Sequence, residues 1–104
     1  MIIIRASKEL DIYRIVLEAS RNSPRPANAI YIGKAKPKGV IVYDLQEDLL
    51  PSIPGYLVYR IGRIEYPGVI VGIITFGNTR KEALESLSIA IEAYKDAVIK
   101  EEIK

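Results

Sequence analysis

The sequence predicts an α+β fold: a small antiparallel sheet with an N-terminal helix and a long C-terminal helix packed on it. Three observations lead there. Val69 to Phe76 is an unbroken apolar strand, Gly77-Asn78 followed by Thr79-Arg80-Lys81-Glu82 is a turn with a capped helix start, and Ala83, Leu87, Ala90, Tyr94 and Ala97 then recur at helical spacing. With 104 residues, 49% of them apolar, the chain is expected to be a single domain over residues 1–104.

Taken in order, Ile2 to Ile4 reads as a short strand or an extended arm. Ser7 stands one step before a helical pattern carrying Leu10, Tyr13 and Leu17, which predicts a helix from Lys8 to Ser20. Asn22-Ser23-Pro24-Arg25-Pro26 ends it, because each proline removes an amide donor and disfavours helical backbone in the residue before it. Ala29 to Ile32 and Val40 to Tyr43, joined by the basic link Gly33 to Gly39, predict an antiparallel hairpin with Pro37 and Gly39 in its turn.

Asp44 to Asp48 is polar and acidic, and Leu49 to Gly55, with Pro51 and Pro54, reads as a connection. Tyr56 to Glu65 alternates as a strand with one wet face, and Pro67-Gly68 turns the chain into the buried strand Val69 to Phe76. In the last helix Thr79 is expected to accept from the Glu82 amide while the Glu82 carboxylate reaches back to the Thr79 amide. Its apolar stripe, flanked by Leu84, Ile91 and Val98, runs over about five turns, and its outer face carries Arg80, Lys81, Glu85, Glu92, Lys95 and Asp96.

Composition excludes much chemistry. There is no Cys and no His, so disulfides, thiolate or imidazole metal sites and His-dependent nucleophiles are ruled out. Fifteen basic and 13 acidic residues give a net charge of +2, which argues against a protein that coats nucleic acid. No apolar run approaches the ~20 residues needed to cross a bilayer, and Met1 to Ile4 is too short for the apolar region of a signal peptide. A cytoplasmic protein with no membrane partner is expected. The abundance of Ile, Lys, Glu and Tyr, with a single Met, is thermophile-like.

Between Glu18 and Asp44 there is no acidic residue, whereas Arg21, Arg25, Lys34, Lys36 and Lys38 fall in or beside loops with Tyr31 close by. Such cations can grip a phosphate or a nucleic acid, and they equally suit a solvated hairpin tip whose lysines keep an edge strand from pairing with other chains. Arg60 and Arg63 are candidate anion ligands that differ in parity and should face opposite sides of a regular strand. Asp44, Glu47 and Asp48 suit a turn and helix start better than a Mg²⁺ site, and no metal or cofactor is expected. Ser23 and Ser52 have no histidine to activate them. Tyr56, Tyr59, Tyr66 and Tyr94 suit strand and core packing or a stacking surface.

Three segments carry a family likeness. Pro26-Ala27-Asn28-Ala29-Ile30, Tyr59-Arg60-Ile61-Gly62-Arg63 and Val71-Gly72-Ile73-Ile74-Thr75-Phe76-Gly77-Asn78-Thr79 resemble, in order and spacing, strands of the C-terminal domain of ATP-grasp ligases. The likeness spans Ser7 to Val98 and is nearest to formate-dependent phosphoribosylglycinamide formyltransferase, an enzyme of purine biosynthesis. It implies a barrel-sandwich-hybrid sheet (the rudiment hybrid motif) with a helix across it, and Arg63 as a phosphate ligand. Val69 and Ile70 stand where the family has paired arginines, and an apolar pair cannot neutralise a phosphate. The chain is too short to hold the family's ATP-binding body. The resemblance therefore implies a non-catalytic, stand-alone domain that partners a separate ATP-grasp chain or itself, with catalysis only in such a complex. Pro67-Gly68, Gly77-Asn78-Thr79 and Glu82 through Tyr94 also resemble HicB antitoxins. That alternative implies a small RNA- or anion-binding module using the basic stretch Arg21 to Lys38, although nucleic acid is not the expected partner.

Overall fold

The computed structural model describes residues 1–6, 11–34, 40–64 and 68–102. Its elements are β1 (Ile2–Ala6), α1 (Ile12–Arg21), β2 (Ala27–Lys34), β3 (Val40–Leu45), a single 3-10 turn (Glu47–Leu49), β4 (Gly55–Arg60), β5 (Gly62–Ile64), β6 (Val69–Gly77), α2 (Arg80–Ala97) and β7 (Val98–Glu102). Among the described residues the strands form two sheets, one in the order β1-β4-β6-β2 and the other β5-β3-β7. Every pairing is antiparallel except β1 with β4, which is parallel.

Strand β6 explains the architecture. It lies between β4 and β2, and its eight residues from Ile70 to Gly77 are all buried, because a helix covers each face. Ile74 and Phe76 pack with Ile12 and Val16 of α1, whereas Val71 and Ile73 pack with Ala83, Leu87, Ala90 and Tyr94 of α2. A strand buried on both sides reads as continuous apolar sequence, which is why Val69 to Phe76 shows no alternation. Gly72 makes room for α1: a Cβ there would stand 2.5 Å from Val16 Cγ2 and 2.8 Å from Ile12 Cγ2. Burying side chains such as Ile12 and Val16 stabilises the fold by about 1.5–3 kcal/mol each.

The α2 cap forms with one change of partner. Thr79 Oγ1 accepts from the Glu82 amide at 3.2 Å, and the Glu82 carboxylate accepts from the amide of Asn78 at 2.8 Å, one residue earlier than expected. Thr75, fully buried on β6, donates to the Ala83 carbonyl at 2.7 Å and pins the first turn of α2 to the sheet. In α1 the cap is Asp11, which accepts from the Arg14 amide at 3.1 Å. The described helix thus begins at Ile12; Ser7 to Leu10, where a start was expected, lie outside the described residues.

Several expectations are corrected. The α+β class holds, but the sheet is mixed and carries helices on both faces, unlike a barrel-sandwich hybrid with one helix across it. Among the described residues β2 and β3 do not pair as a hairpin: β2 pairs with β6 and β3 with β5 and β7, so the two runs belong to different sheets. The expected strand Tyr56 to Glu65 is two strands, because Gly62, at φ +104°, turns the chain out of the first sheet and into the second. Helix α2 stops at Ala97. Val98 takes extended backbone (φ −73°, ψ 131°) and opens β7, which pairs with β3.

Candidate functional site

A cleft of about 220 Å³ opens where the C-terminal end of α2 crosses the ends of β2 and β6. Strand β2 contributes Tyr31, Gly33 and Lys34, β6 contributes Ile70 and Val71, α2 contributes Ile91, Tyr94 and Lys95, and β7 contributes Val98 and Lys100. The register explains the floor. Gly33 is opposite Val71 and Lys34 opposite Val69, so Ile70 is an extra residue in β6 and turns into the α2-side core beside the cleft.

The rim is cationic. Lys34, Lys95 and Lys100 are exposed and come from three different elements, which the turn at Val98 brings to one opening. Lys95 also meets Glu92 at 3.3 Å, an exposed pair of the kind worth little in water. Inside, Tyr94 is only 6% exposed, and its hydroxyl has no hydrogen-bond partner among the described residues. Burial, and then the neighbouring Tyr31, push the Tyr94 phenol well above its ordinary range, so it stays protonated and can act as a donor. Three ammonium groups over an apolar floor with two phenol rings can hold a small anion that carries a flat ring. No group of acidic residues that could hold a metal ion occurs among the described residues.

A second polar cluster joins the sheets. Tyr59 of β4 is fully buried and donates to Asp44 Oδ1 of β3 at 2.7 Å; Asp44 Oδ2 accepts from Arg5 Nη2 of β1 at 2.6 Å, and Oδ1 also takes the Leu45 amide at 2.8 Å. The Tyr59 hydrogen bond first, then the Leu45 amide, hold the Asp44 carboxyl below its usual range. Burial, then the bond to Asp44, push Tyr59 up to about 12. With its oxygens so engaged, Asp44 serves as a structural joint.

The residues singled out in the sequence scatter. Lys34 stands on the cleft rim. Arg25 is exposed in the loop after α1, and Lys36 and Lys38 lie outside the described residues. Arg60, at the end of β4, is in register with Ala6, and Arg63, exposed on β5, is in register with Ile41; the Gly62 turn puts them in different sheets, and neither lines the cleft. Lys95 and Lys100 were missed. Lys95 fell on the outer face of the expected helix, and Lys100 lies beyond that helix on a strand that was not expected.

No family profile and no curated protein matches the sequence. Solved structures do match the fold. The molybdopterin biosynthesis MoaE protein from Burkholderia ambifaria MC40-6 aligns with a TM-score of 0.73 at 18% identity, covering 98% of this chain and 90% of that one. The molybdopterin cofactor biosynthesis protein E from Burkholderia multivorans ATCC 17616 aligns with a TM-score of 0.73 at 19% identity, covering 100% and 85%. The molybdopterin synthase from Staphylococcus aureus gives 0.72 at 17% identity, covering 96% and 89%. These alignments take in nearly the whole chain and overturn the likeness to an ATP-grasp C-terminal domain, together with the purine-biosynthesis role and the ATP-grasp partner drawn from it. They give no support to the HicB-like alternative either. Among the described residues no helix is long and apolar enough to cross a membrane.

Proposed function

We propose that this chain acts in molybdopterin biosynthesis as a MoaE-like component of a molybdopterin synthase, and that the lysine-rimmed cleft is where it holds the pterin. The observation that carries the reading is the whole-chain fold agreement with three structures, all named for molybdopterin biosynthesis or synthesis. The cleft adds a chemical argument. Molybdopterin is a pterin with a phosphate ester, and Lys34, Lys95 and Lys100 supply positive charge for the ester above the apolar Ile70, Val71 and Val98 and the rings of Tyr31 and Tyr94.

On this reading the chain's own residues bind and orient. The ammonium groups draw the anion in, and the apolar floor excludes water around the ring. With no His and no Cys, lysine is the proton-carrying cation at the rim. A protein partner belongs to the reading as well: Ile99, 45% exposed on β7, offers an apolar contact on the face of the strand opposite Lys100.

The test is genetic complementation. Expressed in a Burkholderia strain lacking its own MoaE protein, this chain is expected to restore activity of a molybdenum-dependent enzyme, and Lys95→Ala with Lys100→Ala is expected to abolish the rescue. Failure of the intact, expressed chain to rescue, together with no affinity of the purified protein for a phosphorylated pterin, would overturn the proposal.

A further inference from the structure

We propose that the Tyr94 hydroxyl is a specificity-determining group that donates a hydrogen bond to an oxyanion of the ligand entering between Lys34, Lys95 and Lys100. The inference rests on reading the cleft as the ligand site. Three hydroxyl-bearing residues, Tyr59, Thr75 and Tyr94, are buried in the protein. Thr75 donates to the Ala83 carbonyl and Tyr59 to the Asp44 carboxylate, each at 2.7 Å. Tyr94 is 6% exposed and its hydroxyl is buried, yet that hydroxyl has no partner among the described residues. Buried polar atoms are nearly always paired, and phenylalanine would fill the same space without an orphaned donor.

Position supplies the acceptor's chemistry. Tyr94 precedes Lys95 on α2 and lines the same cleft as Lys34 and Lys100, so any molecule that answers the three positive charges brings negative oxygen close to the phenol. Tyr31, on β2, lies over Gly33, its hydroxyl 3.4 Å from where a Gly33 Cβ would stand, and lines the cleft with Tyr94. An O–H donor to an anionic oxygen in such surroundings discriminates strongly, because a ligand without that oxygen leaves the donor unpaired.

Titration calorimetry on the full chain, with a phosphorylated pterin and the same pterin unphosphorylated, tests this. Tyr94→Phe is expected to bind the phosphorylated pterin about tenfold more weakly, leave the unphosphorylated pterin unchanged, and melt without ligand at or above the wild-type temperature. If Tyr94→Phe binds the phosphorylated pterin like wild type while Lys95→Ala and Lys100→Ala weaken it, the Tyr94 role is overturned and the cleft reading survives. Equal losses for both pterins with a lowered melting temperature would make Tyr94 a packing residue, which also overturns the proposal. Absence of wild-type binding, or binding indifferent to the lysine variants, would overturn the cleft reading and the Tyr94 role with it.

Discussion

Tyr59 and Asp44 clasp the two sheets together: the phenol on β4 reaches out of the main core and donates to the carboxylate on β3, with Arg5 of β1 on the other oxygen. The joint titrates at both ends. The folded Asp44 carboxyl lies below its ordinary value of 3.8, so its contribution is fully present above that value and is lost as pH falls through the lowered one. Tyr59, raised from 10.0 to about 12, contributes fully below pH 10, and that contribution is lost as pH rises through about 12. Melting curves at stepped pH check both arms. Asp44→Asn should flatten the acid arm and Tyr59→Phe the alkaline one, each at the cost of a few degrees at neutral pH. Wild-type slopes in both variants would remove the joint.

Helix α1 sits against Gly72 with no space for a side chain. Gly72→Ala is expected to destabilise by about 1–3 kcal/mol through overpacking, read as a lowered urea midpoint. Combined with Val16→Ala, which removes the methyl that a Cβ would meet at 2.5 Å, the two losses should sum to less than their separate values. Simple additivity would show that the clash is relieved elsewhere.

The cap of α2 rests on Thr79. Replacing it with alanine should cost about 1 kcal/mol, and replacement with serine should cost little, since serine keeps the oxygen that accepts the Glu82 amide. Equilibrium unfolding distinguishes them. Equal losses for both would point to the threonine methyl as the stabilising group.

Lys100 is the rim cation that only the β7 strand could place. Lys100→Glu is expected to weaken binding of a phosphorylated pterin at least tenfold, and more so at low salt than at high, because reversing a charge near an anion acts through screened electrostatics. An unchanged affinity would move the anion away from this side of the cleft.

The parts of the fold legible in the sequence were those with local causes. Thr79 and Glu82 announce a helix start within four residues, and the run through Phe76 announces a covered strand without reference to anything distant. What sequence could not deliver were partnerships. Val40 to Tyr43 looks like the return strand of a hairpin because it follows β2 closely, yet its partners lie at Gly62–Ile64 and beyond residue 97. Gly62 was the available signal that one strand was two, since glycine supplies the positive φ that the turn requires. Strand β7 was hidden because Val98, its first residue, continues the apolar stripe of α2. The cleft inherited these gaps. Lys34 was visible as one of several loop cations, but its association with Lys95 and Lys100 depends on where α2 stops. The likeness to ATP-grasp strands rested on short segments whose glycines and apolar runs serve a different sheet here.

Because the cleft's positive rim is drawn from β2 in one sheet, β7 in the other and the helix between them, its occupant acts as a strap across all three. A molecule whose smaller sheet peels away forfeits Lys100, and with it much of its grip, while the larger core is still intact. Occupancy should therefore slow amide exchange in β3 and β7 more than in the already protected β6, converting a partial opening into one that demands release of the ligand first.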